Sequence, residues 1–303
     1  MRREFSKTIE KIAIEKQELI FLTGDLGFMA LENIKEAIGE RFVNAGVSEQ
    51  NIVSMAAAMA SEGLLPVCYS IAPFIVFRPA EQIRLDVCLH NLNVKIVGNG
   101  GGYGYGIMGA THHAIEDIAV LTSFQNMKCF IPISNEDVEG TINAMFQHVG
   151  PSYLRLGFGV LPEGVSLPEF RHTRKLYIGR DITVIGMGPV LLNIFKLVGK
   201  PNSTFTADVF VISEMPVPIL SEEIKHSIKK TGHVLIIEEH VKRGGLGEHL
   251  ASHILENNLQ CTFNQLYAKG YPNGRYGSQS YHQSLNGLDA NNIELAINQI
   301  LHG

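Results

Sequence analysis

Short apolar runs alternate with helix-periodic segments along most of this 303-residue chain, and that rhythm restricts its fold more than any other feature. LIFLTG (19–24), LPVCYS (65–70), VKIVGN (94–99), MKCFIP (127–132) and YLRLG (153–157) read as buried strands. Between them, residues 51–62, 80–90, 114–123 and 135–148 carry helical periodicity. Near-continuous apolar strands separated by helices predict a mostly parallel sheet covered on both faces. The rhythm breaks around Pro162, Gly164 and Pro168, then restarts with ITVIGMG (182–188), ADVFVIS (207–213), HVLIIEE (233–239) and CTFNQLY (261–267). The expected fold class is therefore α/β, with two doubly wound domains at 1–158 and 176–303 joined by a linker at 159–175.

Composition removes several function classes. The net charge is −5 and 18% of residues are charged, which leaves no basic footprint for nucleic acid and no polybasic membrane anchor. No apolar run approaches the ~18 residues of a membrane span. The start, MRREFSKTIEKIAIEKQEL, is charged and amphipathic and does not read as a secretory signal. Cys68, Cys88, Cys129 and Cys261 show no paired spacing, so free thiols in a cytoplasmic protein are expected.

Three constellations carry chemistry. In NAGVSEQNIVSMAAAMASEG (44–63), Ser48 is placed to cap a helix that opens at Glu49. Acids are common in a first helical turn, where the dipole favours them. Here, however, the helix is almost uncharged up to Glu62 and follows a short strand. That places Glu49 at the carboxyl edge of the sheet, where open α/β sheets bind ligands. Residues 98–113, GNGGGYGYGIMGATHH, hold six glycines in the nine positions 98–106. Such a loop lets backbone approach a ligand closely. It lacks the Gly-Lys-Ser/Thr of a P-loop and the downstream acid of a dinucleotide fingerprint. His112 and His113 have no third partner at metal-like spacing, so no metal site is expected on this chain. In SIAPFIVFRPAEQIRLDVC (70–88), Phe74, Phe77 and Arg78 follow a strand end, where aromatics serve either as core or as a flat wall for a ligand.

In order and spacing, RFVNAGVSEQNIVSMAAAMASEG, FRPAEQIRLDV, NVKIVG, GATHHAIEDIAVL, IPISNEDVEGTINA and PSYLRLG resemble the pyrimidine-binding domain of the transketolase family. IIEEHVKRGGLGEHL resembles that family's C-terminal domain, whose usual role is structural and dimerising. The resemblance implies thiamine diphosphate as cofactor. It makes Glu49 the carboxylate that hydrogen-bonds the pyrimidine ring, favouring the imino form that takes the thiazolium C2 proton. A carboxylate buried beside an aromatic ring is expected to have a raised pKa. Phe74 is the first candidate to stack on the ring and Phe77 the second. His112 matches a substrate-facing histidine that would bond sugar hydroxyls or a carbonyl and could relay a proton.

Departures from the family are informative. The Gly-Asp-Gly and downstream Asn that hold Mg2+ and diphosphate have no counterpart; Gly24-Asp25-Leu26 is the nearest string and stands in the wrong context. The resemblance thus implies one subunit of a split enzyme. An N-terminal diphosphate-binding partner would carry the metal, in a heterotetramer with two of each chain. Gly100, Met108 and Phe158 stand where His, Asp and Arg are usual, and a phenyl ring cannot grip phosphate as a guanidinium does. The expected activity is transfer of a two-carbon ketol unit on a non-standard sugar. A 2-oxoacid dehydrogenase beta subunit and a non-catalytic assembly subunit are the alternatives.

Overall fold

The computed structural model describes residues 1–27, 29–199, 203–271 and 274–303. The first sheet contains β1 (Leu19–Thr23), β2 (Phe42–Asn44), β3 (Leu65–Ile71), β4 (Lys95–Asn99), β5 (Lys128–Phe130) and β6 (Ser152–Leu156). The second contains β7 (Thr173–Tyr177), β8 (Ile182–Met187) and β9 (Ala207–Ile212). It also holds β11 (His233–Glu238) and β12 (Thr262–Leu266), whereas β10 (Glu214–Met215) returns to the first sheet. The orders are β10-β5-β6-β4-β3-β1-β2 and β12-β11-β8-β9-β7. Every pairing is parallel except β10 with β5 and β7 with β9. This is the expected α/β architecture of two mostly parallel, helix-covered sheets.

Period-two alternation assigns strand residues to opposite faces of the first sheet. Leu22, Cys68, Ile96 and Tyr153 face one core, with Ile52, Val53, Ala56 and Ala57 of the helix Glu49–Ser61. Phe21, Tyr69, Val97 and Leu154 face the other, with Phe5 and Ile9 of the helix Arg2–Glu15. Those two helix residues are four apart and share one face, and Phe5 stacks on Tyr69 with centroids 5.4 Å apart.

Two elements differ from the sequence expectation. Strand β7 begins inside the expected linker, where Arg174 is buried and bonds both carboxylate oxygens of Asp137 at 2.7 Å. Its adjacent Arg174 and Lys175 disguise an edge strand. The expected helix at 80–90 is helical over Ala80–Gln82 and then widens into a π-type turn over Ile83–Cys88.

Lys95 opens β4 fully buried, and its Nζ donates to His148 O (2.7 Å), Gly150 O (3.2 Å) and Ser152 Oγ (3.1 Å). Burial pushes its pKa down to about 7. Lys95→Ala removes three donated bonds at a buried site, so urea unfolding is expected to show a loss of ~1–3 kcal/mol.

Candidate functional site at the carboxyl edge of the first sheet

The helix Glu49–Ser61 starts just beyond the end of β2, as the sequence predicts, and Glu49 is only 4% exposed. Ser48 occupies the N-cap position but does not cap with its side chain. Its hydroxyl instead donates back to Ala45 O at 2.6 Å. Ser70, near the end of β3, donates to Glu49 Oε1 at 3.1 Å. Arg78 Nη1 donates to Glu49 Oε2 at 2.7 Å. The carboxylate expected from sequence to lie buried beside an aromatic ring thus has a cation beside it, supplied by a residue to which the sequence pattern assigns no role.

The helix Ala72–Phe77 follows β3 directly, with Pro73 in its first turn where a missing N–H costs nothing. This sets Phe74 at the sheet edge. The Arg78 guanidinium lies 3.9 Å from the Phe74 ring centroid, a cation–π contact. Phe74 also meets the His112 ring edge-on at 5.1 Å. Phe77, one turn later, is exposed and makes none of these contacts. Thr111 Oγ1 lies 2.9 Å from His112 Nδ1. Burial first, and the Arg78 charge second, hold the His112 pKa below its ordinary value, so the ring is neutral near pH 7.

The glycines of 98–106 serve a purpose that the sequence did not reveal. Gly100 has φ +80 and lies under the Tyr105 ring, so the surface there belongs to Tyr105. Asn99 Nδ2 donates to the Tyr105 hydroxyl at 2.6 Å. The Tyr105 ring in turn contacts His112 (6.3 Å) and Phe158 (6.2 Å) edge-on. Gly102, at φ +64, makes room for the Glu239 carboxylate. The close approach is therefore mostly to the protein itself. Met108 and Phe158 are half exposed on the same rim.

Glu239 and His240 follow β11 and clamp this loop from the second sheet. Glu239 is buried and accepts from Tyr103 N at 2.6 Å, Gln279 Nε2 at 3.0 Å and Gln283 Nε2 at 2.5 Å. Its neighbour Glu238, pushed up to about 7 by burial, accepts from Leu246 N and Gly247 N at the start of the helix Leu246–Glu256. The His240 ring receives Ala119 N at Nε2 (3.2 Å), while its Nδ1 faces Val241 O at 2.7 Å. Those partners fix the neutral tautomer with the proton on Nδ1. His240 is pushed down to about 4 chiefly by burial. The unfolded chain takes that proton near pH ~6.5 and the folded chain only near 4, so stability is lost as pH falls through this window. Urea unfolding is expected to show ~2 kcal/mol lost from this group between about pH 7 and about pH 5. The His240→Asn variant, which cannot titrate, should lose that much less over the same interval.

Among the described residues no group of three or more His, Cys, Asp or Glu is placed to hold a metal ion, and no helix is long and apolar enough to cross a membrane.

Family models for the transketolase pyrimidine-binding domain and the transketolase C-terminal domain match residues 1–162 and 172–293. The chain belongs to the transketolase family. This transketolase-family chain is 32% identical to an apulose-4-phosphate transketolase subunit from Actinobacillus succinogenes, over 84% of its own length and 83% of that subunit. It is 29% identical to the subunit of the same name from Phocaeicola vulgatus, over 84% of each. Among solved structures it is similar to a split-gene transketolase described as an inactive beta4 tetramer. The TM-score is 0.85 at 27% identity, over 99% of this chain and 97% of that one. Its likeness to 1-deoxy-D-xylulose-5-phosphate synthase of Clostridium perfringens covers 98% of this chain but 48% of the synthase.

Proposed function

We propose that this chain is the pyrimidine-side subunit of a split transketolase, with Glu49 as the activating carboxylate. The observation that carries the reading is one continuous line of contacts at the sheet edge. Glu49, a buried carboxylate, is joined through Arg78 to the aromatic wall Phe74, which meets the neutral imidazole His112, and a pocket of about 420 Å³ opens beside Glu49 and Arg78. This donor set fits an aminopyrimidine ring. It does not fit a diphosphate with Mg2+, for which the described residues offer no carboxylate cluster.

Bound thiamine diphosphate would supply the nucleophilic carbon that carries a two-carbon ketol unit. The chain's own residues would do the rest. Glu49, positioned by Ser70, hydrogen-bonds the ring nitrogen and holds a proton there; Phe74 provides the flat wall, with Phe77 at the rim. His112 hydrogen-bonds substrate hydroxyls or carbonyl, supported by Thr111. Tyr105, standing over Gly100, shapes the substrate side together with Met108 and Phe158. Residues 1–158 form the pyrimidine-binding domain, 159–175 the linker and 176–303 the C-terminal domain. The partner is an N-terminal diphosphate-binding subunit that carries Mg2+, in a cytoplasmic assembly of two of each chain. The apulose-4-phosphate enzymes among its relatives support a sugar other than the common pentose and hexose phosphates.

Calorimetric titration with Mg2+ and thiamine diphosphate tests the division of labour. Tight binding is expected with the partner present and absent with this chain alone; tight binding by the lone chain would overturn the split reading. Turnover of xylulose 5-phosphate with ribose 5-phosphate at ordinary transketolase rates would remove the non-standard sugar.

A further inference from the structure

We propose that Arg78 is an internal stand-in for the aminopyrimidine ring, and that the cofactor enters by displacing it. The inference rests on the reading of Glu49 and Phe74 given above. A guanidinium is planar and presents N–H donors at its edge and a delocalised face, as a protonated aminopyrimidine does. Arg78 uses both features at once. Its edge donates to Glu49 Oε2 at 2.7 Å, and its face lies 3.9 Å from the Phe74 centroid. These are the two groups assigned to the cofactor's ring, so the guanidinium and the ring compete for one seat.

The local chain explains the placement. Arg78 directly follows the helix Ala72–Phe77 and is four residues beyond Phe74, the spacing that brings side chains together on one helix face. The two ends of the ion pair differ in what surrounds them. The Glu49 side chain is 4% exposed and tied to Ser70, whereas the Arg78 side chain is 43% exposed. Glu49 has nowhere to go, and Arg78 can swing into water on its long stem. The pocket beside them is lined by Val47, Ser48, Glu49, Gln50 and Arg78 itself, so the space borders the displaced group.

The arrangement has two consequences. Before cofactor arrives, the buried carboxylate is not left without a counter-charge, which would be costly. Once cofactor is offered, its apparent affinity is reduced by the fraction of molecules in which Arg78 holds the seat. Arg78 therefore acts as a gate on cofactor entry.

A ligand-observed NMR titration of the purified full chain with 4-amino-5-hydroxymethyl-2-methylpyrimidine, uncharged at mildly alkaline pH, reads this directly. Arg78→Ala is expected to bind the probe about tenfold more tightly, equivalent to ~1.4 kcal/mol. Arg78→Lys keeps the charge without the planar face and should fall between the two. Raising salt from about 0.05 M to about 0.5 M weakens the ion pair, so wild-type affinity should rise while that of Arg78→Ala stays level. Melting curves of each variant confirm folding. Equal or weaker binding by Arg78→Ala, with Glu49→Ala and Phe74→Ala also weakened, would overturn the gate and leave the site reading standing. Binding indifferent to Glu49→Ala and Phe74→Ala, or no binding by wild type and Arg78→Ala alike, would overturn the site reading and the gate with it.

Discussion

Glu49→Gln should lower turnover of the reconstituted two-subunit enzyme by about 10²–10⁴-fold, the range expected when a positioned proton-transfer group is lost. The amide keeps the size of the side chain. Its oxygen can still accept from Arg78, and its NH2 can donate to the Ser70 hydroxyl. Folding should therefore be nearly unchanged, and the melting temperature of the isolated chain provides the control. What the amide lacks is a proton it can exchange with a ring nitrogen. Retention of turnover within about tenfold of wild type would mean that Glu49 is a structural helix-opening acid and not an activator.

The second large effect is expected where the two sheets meet. Asp117 is fully buried and accepts from Arg155 Nε and from the Tyr153 hydroxyl, each at 2.9 Å. Arg155 is 5% exposed, and its Nη2 donates to Ala114 O and to Glu239 O. One guanidinium thus links β6, the segment after His113 and the end of β11. Asp117→Ala leaves that cation buried without a counter-charge, which costs ~3–5 kcal/mol when one partner of a buried pair is removed. Urea unfolding measures it. The double variant Asp117→Leu with Arg155→Met removes both charges and should recover much of the loss, because an apolar pair needs no desolvation of ions. Equal damage in the single and double variants would show that packing, and not the stranded charge, sets the cost.

This joint also revises the role of the second half of the chain. The resemblance gives the C-terminal domain a structural and dimerising part. Here its Glu239 and His240 hold the backbone of the glycine-rich loop and the first turn of the helix Asp117–Thr122. The segment that presents Tyr105 and His112 therefore owes its shape to both sheets.

The amino-acid sequence alone determined the strand–helix rhythm, the parallel sheets, the helix opening at Glu49 and the nearness of Phe74 to a strand end. Each of these follows from rules that act within a few residues: side-chain period, turn chemistry and strand-end placement. The same rules missed the edge strand β7, whose side chains lack a long apolar run. They could not supply partners for charges. Arg78 lies 29 positions from Glu49, and Glu239 lies 136 positions from Tyr103. Whether a carboxylate is solvated, capped, paired or poised depends on which distant groups the fold delivers to it, and a single chain of letters records no such distance. For the same reason the glycines at 100 and 102 read as room for a ligand, when the fold fills that room with Tyr105 and Glu239. Local chemistry thus placed Glu49 at the sheet edge, and only the tertiary structure gave it Arg78, the cation that a cofactor must move.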